Sequence, residues 1–153
     1  MHVDSNNAYV CLFTGNLVDN ENILTDPELA LNDDSTIGEL SQYLKLFAWT
    51  DLNGNGVYET GDENVLVAPN TPINIEIVKL SLIGGSSANV GLAWCMGNQV
   101  VDDSGNISCS GAGNQDNAQT DSVVASVIAY AAQQRNNSDF NCRTVAAEYR
   151  QIQ

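Results

Sequence analysis

The sequence predicts an all-β fold, an antiparallel β-sandwich with long acidic loops, built as a single domain over residues 1–153. Short apolar runs of strand length recur along the chain, separated by clusters of Gly, Asn, Asp and Ser. Apolar residues make up 43% of the 153 residues, enough for the core of one ordinary domain and an argument against disorder despite a net charge of -14.

Ala8 to Phe13 (AYVCLF) reads as the first strand, and Thr14 to Ser35 as a long acidic, Asn-rich connection broken at Asp26-Pro27. Leu40 to Trp49 is the next run, with Leu44, Leu46 and Ala48 facing one side and Tyr43, Lys45, Phe47 and Trp49 the other. Ile73 to Ile83 alternates most clearly: Ile73, Ile75, Ile77, Lys79 and Ser81 stand opposite Asn74, Glu76, Val78, Leu80 and Leu82, until Gly84-Gly85-Ser86-Ser87 breaks the run. Ala88 to Trp94 is a further strand, leading directly into Cys95. Ser122 to Arg135 fits two patterns. Val123, Val124, Val127, Ile128 and Ala131 form a helical stripe capped by Asp121 or Ser122, whereas Val123, Ala125, Val127, Ala129 and Ala131 form one face of a strand. Taken locally, the helix has the edge. The tail from Cys142 to Gln153 reads as a short helix or loose end.

The charge restricts the function classes. Nineteen acidic residues against five Lys and Arg give a pI near 4.1, and the first 44 residues contain no Lys or Arg. Such a surface repels phosphate backbones and anionic lipid, which argues against nucleic-acid binding and electrostatic membrane attachment, and it favours divalent cations as partners. No run is long and apolar enough for a transmembrane helix.

Cys11, Cys95, Cys109 and Cys142 are an even set in a short, acidic chain, so two disulfides are expected, with four free thiols as the alternative. No two lie within four residues, and His2 is the only imidazole, which is not a zinc pattern. Of the three possible pairings, the favoured one joins Cys95 to Cys109 across a Gly/Ser/Asp-rich loop (Gly97 to Ser108) and Cys11 to Cys142 across the domain. Disulfides without a visible export signal at Met1-His2-Val3-Asp4 imply a chain whose leader has been removed.

The most specific chemical motif is Asp51 to Asp62, DLNGNGVYETGD. Oxygen-bearing side chains at positions one, three and five, glycine at six and an acid at twelve match a calcium loop. Asp51, Asn53 and Asn55 supply side-chain oxygens, Val57 a carbonyl, Asp62 the closing carboxylate, and Glu59 a contact through water. The same Asn-Gly repeats also make an ordinary polar turn.

Catalytic constellations are lacking. There is no imidazole for a nucleophile-base pair beyond His2, no G-x-S-x-G elbow and no phosphate-binding loop. The acids are expected as a solvated face in preference to a hydrolytic pair. Trp49 and Trp94 are expected in the core in preference to a sugar-stacking platform.

Several phrases occur in an order that resembles a family: NNAYVC (Asn6 to Cys11), TDPEL (Thr25 to Leu29), GELSQ (Gly38 to Gln42), FAW (Phe47 to Trp49), GLAWC (Gly91 to Cys95), QTDS (Gln119 to Ser122) and QRNNSDFNC (Gln134 to Cys142). Together they are similar to the TasA and camelysin group of secreted proteins with a SipW-type signal peptide. The resemblance implies a jelly-roll-like β-sandwich exported to the cell surface or biofilm matrix, without an active site. In some members a strand from one subunit completes the sheet of the next, forming fibres. It also implies that Ser122 to Arg135 is a strand, which is taken here over the local helical pattern, because tertiary context overrides propensity. Family members usually carry further strands ahead of the NNAYVC-like phrase, so the domain is expected to lack its leader and first strands. The leading expectation is a structural subunit of a surface or matrix filament of like subunits, with calcium at the Asp51 to Asp62 loop. The alternative is a calcium-dependent adhesin or carbohydrate-binding module that takes surface polysaccharide.

Overall fold

The computed structural model describes residues 6–31, 36–73, 77–111 and 115–151. It is an all-β antiparallel sandwich. In chain order the elements are β1 (Ala8–Asn20), α1 (Asp26–Ala30), α2 (Leu40–Tyr43), β2 (Leu44–Asp51), β3 (Val65–Pro72), β4 (Ile77–Leu82), β5 (Asn89–Met96), β6 (Asn98–Val101), β7 (Ile107–Ser110), β8 (Ser122–Gln133) and α3 (Cys142–Gln151). One sheet has the order β4-β1-β8, a second the order β3-β2-β5, and β6-β7 form a separate ribbon.

The period-two alternation of β1 gives it two buried faces. Leu12 packs inward with Leu46, Ala48, Leu66, Val67, Val78 and Leu80, so the inner core lies between the two sheets. Cys11 and Phe13 point outward, where α3 covers them with Cys142, Ala146 and Tyr149. Cys11 is bonded to Cys142, with the two Cα atoms 5.4 Å apart. The QRNNSDFNC phrase supplies Phe140, whose ring stacks on Tyr9 at 5.5 Å and beside Tyr130 at 6.2 Å. Lys79 sits 3.9 Å above the Tyr9 ring and donates to the Phe140 carbonyl.

The second sheet is also covered on both sides of its central strand. Phe47 and Trp49 turn away from the inner core and form a cluster with Tyr58. Gly91 pairs with Trp49 across the ladder, and a Cβ on it would lie 2.1 Å from the indole ring, so only glycine lets the ring lie flat on β5. Cys95 is bonded to Cys109, which ties the β6-β7 ribbon to this sheet. Buried Gln99 fixes the ribbon to β3 through a reciprocal pair: its N–H donates to Asn70 Oδ1 (3.1 Å), and the Asn70 N–H donates to its Oε1 (3.2 Å).

Several expectations need correction. β1 does not stop at Phe13; it continues to Asn20 through a register shift between Gly15 and Val18, with Asn16 at φ 52° absorbing the bulge. The span from Thr14 to Ser35 is therefore part strand and part helix, with residues 32–35 outside those described. Leu40 to Tyr43 form a helical turn ahead of β2. Within Gly97 to Ser108, expected as a loop, β6 and the start of β7 pair as a ribbon around a turn at 102–106. Within Ile73 to Ile83 the strand covers Ile77–Leu82, and Asn74, Ile75 and Glu76 lie outside the described residues. Ser122 to Gln133 is a strand, as the resemblance implies and against the local helical pattern. Its pairing with β1 over eleven registered positions outweighs a weak helical preference in a β-branched segment.

Candidate functional site

The edges of the two sheets meet differently on their two sides. On one side the chain passes from β3 to β4, linking the sheets. On the other, β5 pairs with β2 alone and β8 with β1 alone among the described residues, so each presents an unpaired edge. Between these edges runs a cavity of about 460 Å³. Its lining is apolar apart from Thr14: Leu12 and Leu46 form the floor, Leu92 and Trp94 one wall, and Ala125 and Val127 the other. The wall residues are open to solvent, with Leu92 50%, Val127 64% and Trp94 70% exposed.

This placement overturns the expectation that both tryptophans are core. Trp49 is 2% exposed, but Trp94 faces the gap between the sheets, where no element among the described residues covers it. One buried and one exposed indole do not make a paired sugar-stacking platform. Neither β5 (NVGLAWCM) nor β8 (SVVASVIAYAAQ) carries a single charged residue or proline, although the chain as a whole carries a net charge of -14. Exposed edge strands are ordinarily protected by such residues.

The Asp51 to Asp62 segment is a loop held in shape by its own side chains. Asp51 is buried, its Oδ1 accepting from the N–H of Gly54 (2.7 Å) and Asn55 (3.1 Å) and its Oδ2 from the N–H of Gly56 (2.9 Å). Gly54 and Gly56 have φ of 73° and 74°, the left-handed conformation this tight winding requires. Asn53 Oδ1 accepts from the Asn55 N–H and Asn55 Oδ1 from the Val57 N–H. The amides of Asn53 and Asn55 both donate to Glu59 Oε1, at 3.2 and 2.6 Å. Asp62, expected to close the shell, is exposed, and the neighbouring Glu63 turns inward. Glu63 accepts from the N–H of Leu52 (2.7 Å) and of Glu59 (3.0 Å), stapling the loop shut. A helical hydrogen bond from the Glu63 N–H to the Glu59 carbonyl rotates the chain there, so the inward acid falls one position later than the motif places it.

The Asn55 amide, followed by that of Asn53, holds the Glu59 carboxyl below its ordinary range. For a depressed carboxylate, the contribution to loop order is present above the unfolded value, near 4.3, and is lost as pH falls through the lower folded value. An NMR titration of the Glu59 side chain is expected to show a midpoint below about 4.3 that rises when Asn55 is replaced by alanine. A midpoint at or above that value in the wild type contradicts the caged geometry.

Sequence reasoning missed one further grouping. Glu21, Glu28 and Asp121 bring carboxylate oxygens within 4.8 Å of one another. They lie about 100 positions apart at the extremes, so no local spacing signals them; the only hint is that TDPEL and QTDS each contain one. Of the other expected features, His2 lies outside the described residues. Among those described, no helix is long and apolar enough to cross a membrane. Two disulfides fit folding in an oxidising compartment.

Compared with protein-family models, curated proteins and solved structures, the chain has no match in any of the three.

Proposed function

We propose that the chain is a secreted structural subunit of a cell-surface or matrix filament, assembled when a strand of a second copy enters the groove between β5 and β8. The observation that carries this reading is the pair of uncharged edges, unpaired among the described residues, that flank an apolar cavity. An entering strand gains main-chain hydrogen bonds from one edge, and its alternate side chains enter the cavity, which is how β-augmentation combines affinity with register. A contact made head to tail does not close on itself and so propagates as a fibre. The ordered phrases similar to the TasA and camelysin group point the same way. Calcium belongs to this reading as a stiffener of the Asp51 to Asp62 loop, whose Asp51 and Asn55 are already gathered by its own backbone.

Negative-stain electron microscopy of the oxidised protein at micromolar concentration, with millimolar calcium and with chelator, tests the proposal. Filaments are the expected result. A monodisperse monomer in both conditions counts against it and moves a binding module using the exposed Trp94 into first place.

A further inference from the structure

The register of β1 against β8 ends at Asn20 opposite Ser122, so the next residues, Glu21 and Asp121, leave the ladder side by side at one end of the sandwich. Two acids at such opposed positions repel each other. A third, Glu28, arrives from α1, and the three carboxylates converge within 4.8 Å.

An acidic cluster at a surface is commonplace; Glu28 is not at the surface. Its side chain is 0% exposed. As the third residue of a capping box it uses Oε2 to accept from the backbone N–H of Thr25, with the Thr25 hydroxyl 2.7 Å away. That accounts for one oxygen. Among the described residues no donor reaches the other, Oε1, which is fully buried. Asp121 repeats the arrangement: Oδ2 accepts from the Glu39 N–H, and Oδ1 is buried with no donor among the described residues. Buried carboxylate oxygens ordinarily have hydrogen-bond donors, a counter-charge or a metal.

We propose that Glu21, Glu28 and Asp121 form a divalent-cation site, for which calcium is the fitting ion, where β1 hands over to α1 and β8 begins. The donor set is all oxygen and all hard, which selects calcium or magnesium over softer metals. Calcium–oxygen distances of about 2.3–2.6 Å let ligands on opposite sides of the ion stand about 4.8 Å apart, and its flexible coordination suits carboxylates delivered by three separate elements. The surrounding hydrogen bonds hold the ligands' backbones in place: Asn22 Nδ2 donates to the Thr120 carbonyl, and the Thr120 hydroxyl to the Ile23 carbonyl. Gly38 presses against this end, where a Cβ would stand 2.7 Å from the Asn20 carbonyl oxygen and 2.8 Å from Asp121 Cγ. The bound ion joins the β1 end, α1 and the β8 start, which are distant in sequence, and does not depend on the filament reading.

The test is isothermal titration of the chelator-stripped full chain with calcium chloride. Glu28→Gln and Asp121→Asn are each expected to lose one equivalent of calcium relative to wild type, whereas Asp103→Asn, at an exposed acid in the turn between β6 and β7, keeps it. Because Glu28 also caps α1, carbodiimide labelling of the wild type read by mass spectrometry provides a measurement independent of any variant: calcium is expected to suppress modification of Asp121 relative to chelator. A wild type that binds no calcium, variants that bind it as the wild type does, or Asp121 labelling indifferent to calcium would each overturn the site.

Discussion

Replacing Cys11 and Cys142 together by alanine is expected to lower the free energy of unfolding by about 5 kcal/mol, against about 3 kcal/mol for removing the Cys95–Cys109 bond. The difference follows from loop length: the first bond closes 131 residues of sequence separation and the second 14. In the chain-entropy account the longer link removes more freedom from the unfolded ensemble. The long link also anchors α3 over the outer face of β1, where Cys11, Phe13 and Ala146 are buried together. A domain of ordinary stability, about 5–15 kcal/mol, is left marginal by such a loss. Urea titrations of the wild type and the two double variants read the difference directly. A loss below about 1 kcal/mol for the Cys11 and Cys142 pair would show that the covalent link contributes little beyond the packing already present.

The second large effect concerns the proposed assembly and not stability. Leu92→Arg is expected to abolish filaments while leaving the thermal melt of the monomer nearly unchanged. In the monomer Leu92 is half exposed, so an arginine there can lay its stem along the groove and keep its guanidinium in water. Once a strand fills the groove, that charge is enclosed among apolar side chains without a partner, which costs several kcal/mol. Val127→Arg tests the opposite wall and is expected to behave alike. Val100→Arg, at an exposed position on the β6 strand of the ribbon, is the control that leaves filaments intact. Electron microscopy beside circular-dichroism melting separates the outcomes. Filaments that persist in both groove variants place the subunit contact elsewhere.

The parts of this architecture that were legible in the sequence are those where one physical signal acts alone. Leu44 to Trp49 alternates cleanly, and its two faces are buried as the pattern implies because β2 is the central strand of its sheet. β1 was legible only to Phe13. Beyond it Gly15 and Asn16 resemble a turn, and they form a bulge after which the strand resumes with polar residues. Ser122 to Gln133 supports two periodicities at once, and the choice between them comes from β1, more than 100 positions away. Trp94 was misplaced for a related reason: its strand looks like core, and its exposure reflects the absence of a neighbour across the groove, which no local pattern records. In the Asp51 loop the polar side chains up to Glu59 bond to one another and to the loop backbone, and the helical turn at Glu59 to Glu63 leaves Asp62 exposed and turns Glu63 inward. The Glu21, Glu28 and Asp121 cluster is a purely tertiary feature.

The placement of the Cys11–Cys142 bond also determines how the chain carries tension. Force that enters the chain ahead of Cys11 and leaves beyond Cys142 crosses the domain through two sulfur atoms, and the strands between them bear none of it. With the bond intact the segment between the two cysteines cannot be extended, however hard the chain is pulled. Once the bond is reduced, the 131-residue separation becomes extensible chain, on the order of 430 Å at full stretch. A chain held by its two ends is therefore short and stiff in an oxidising environment and can lengthen many-fold in a reducing one.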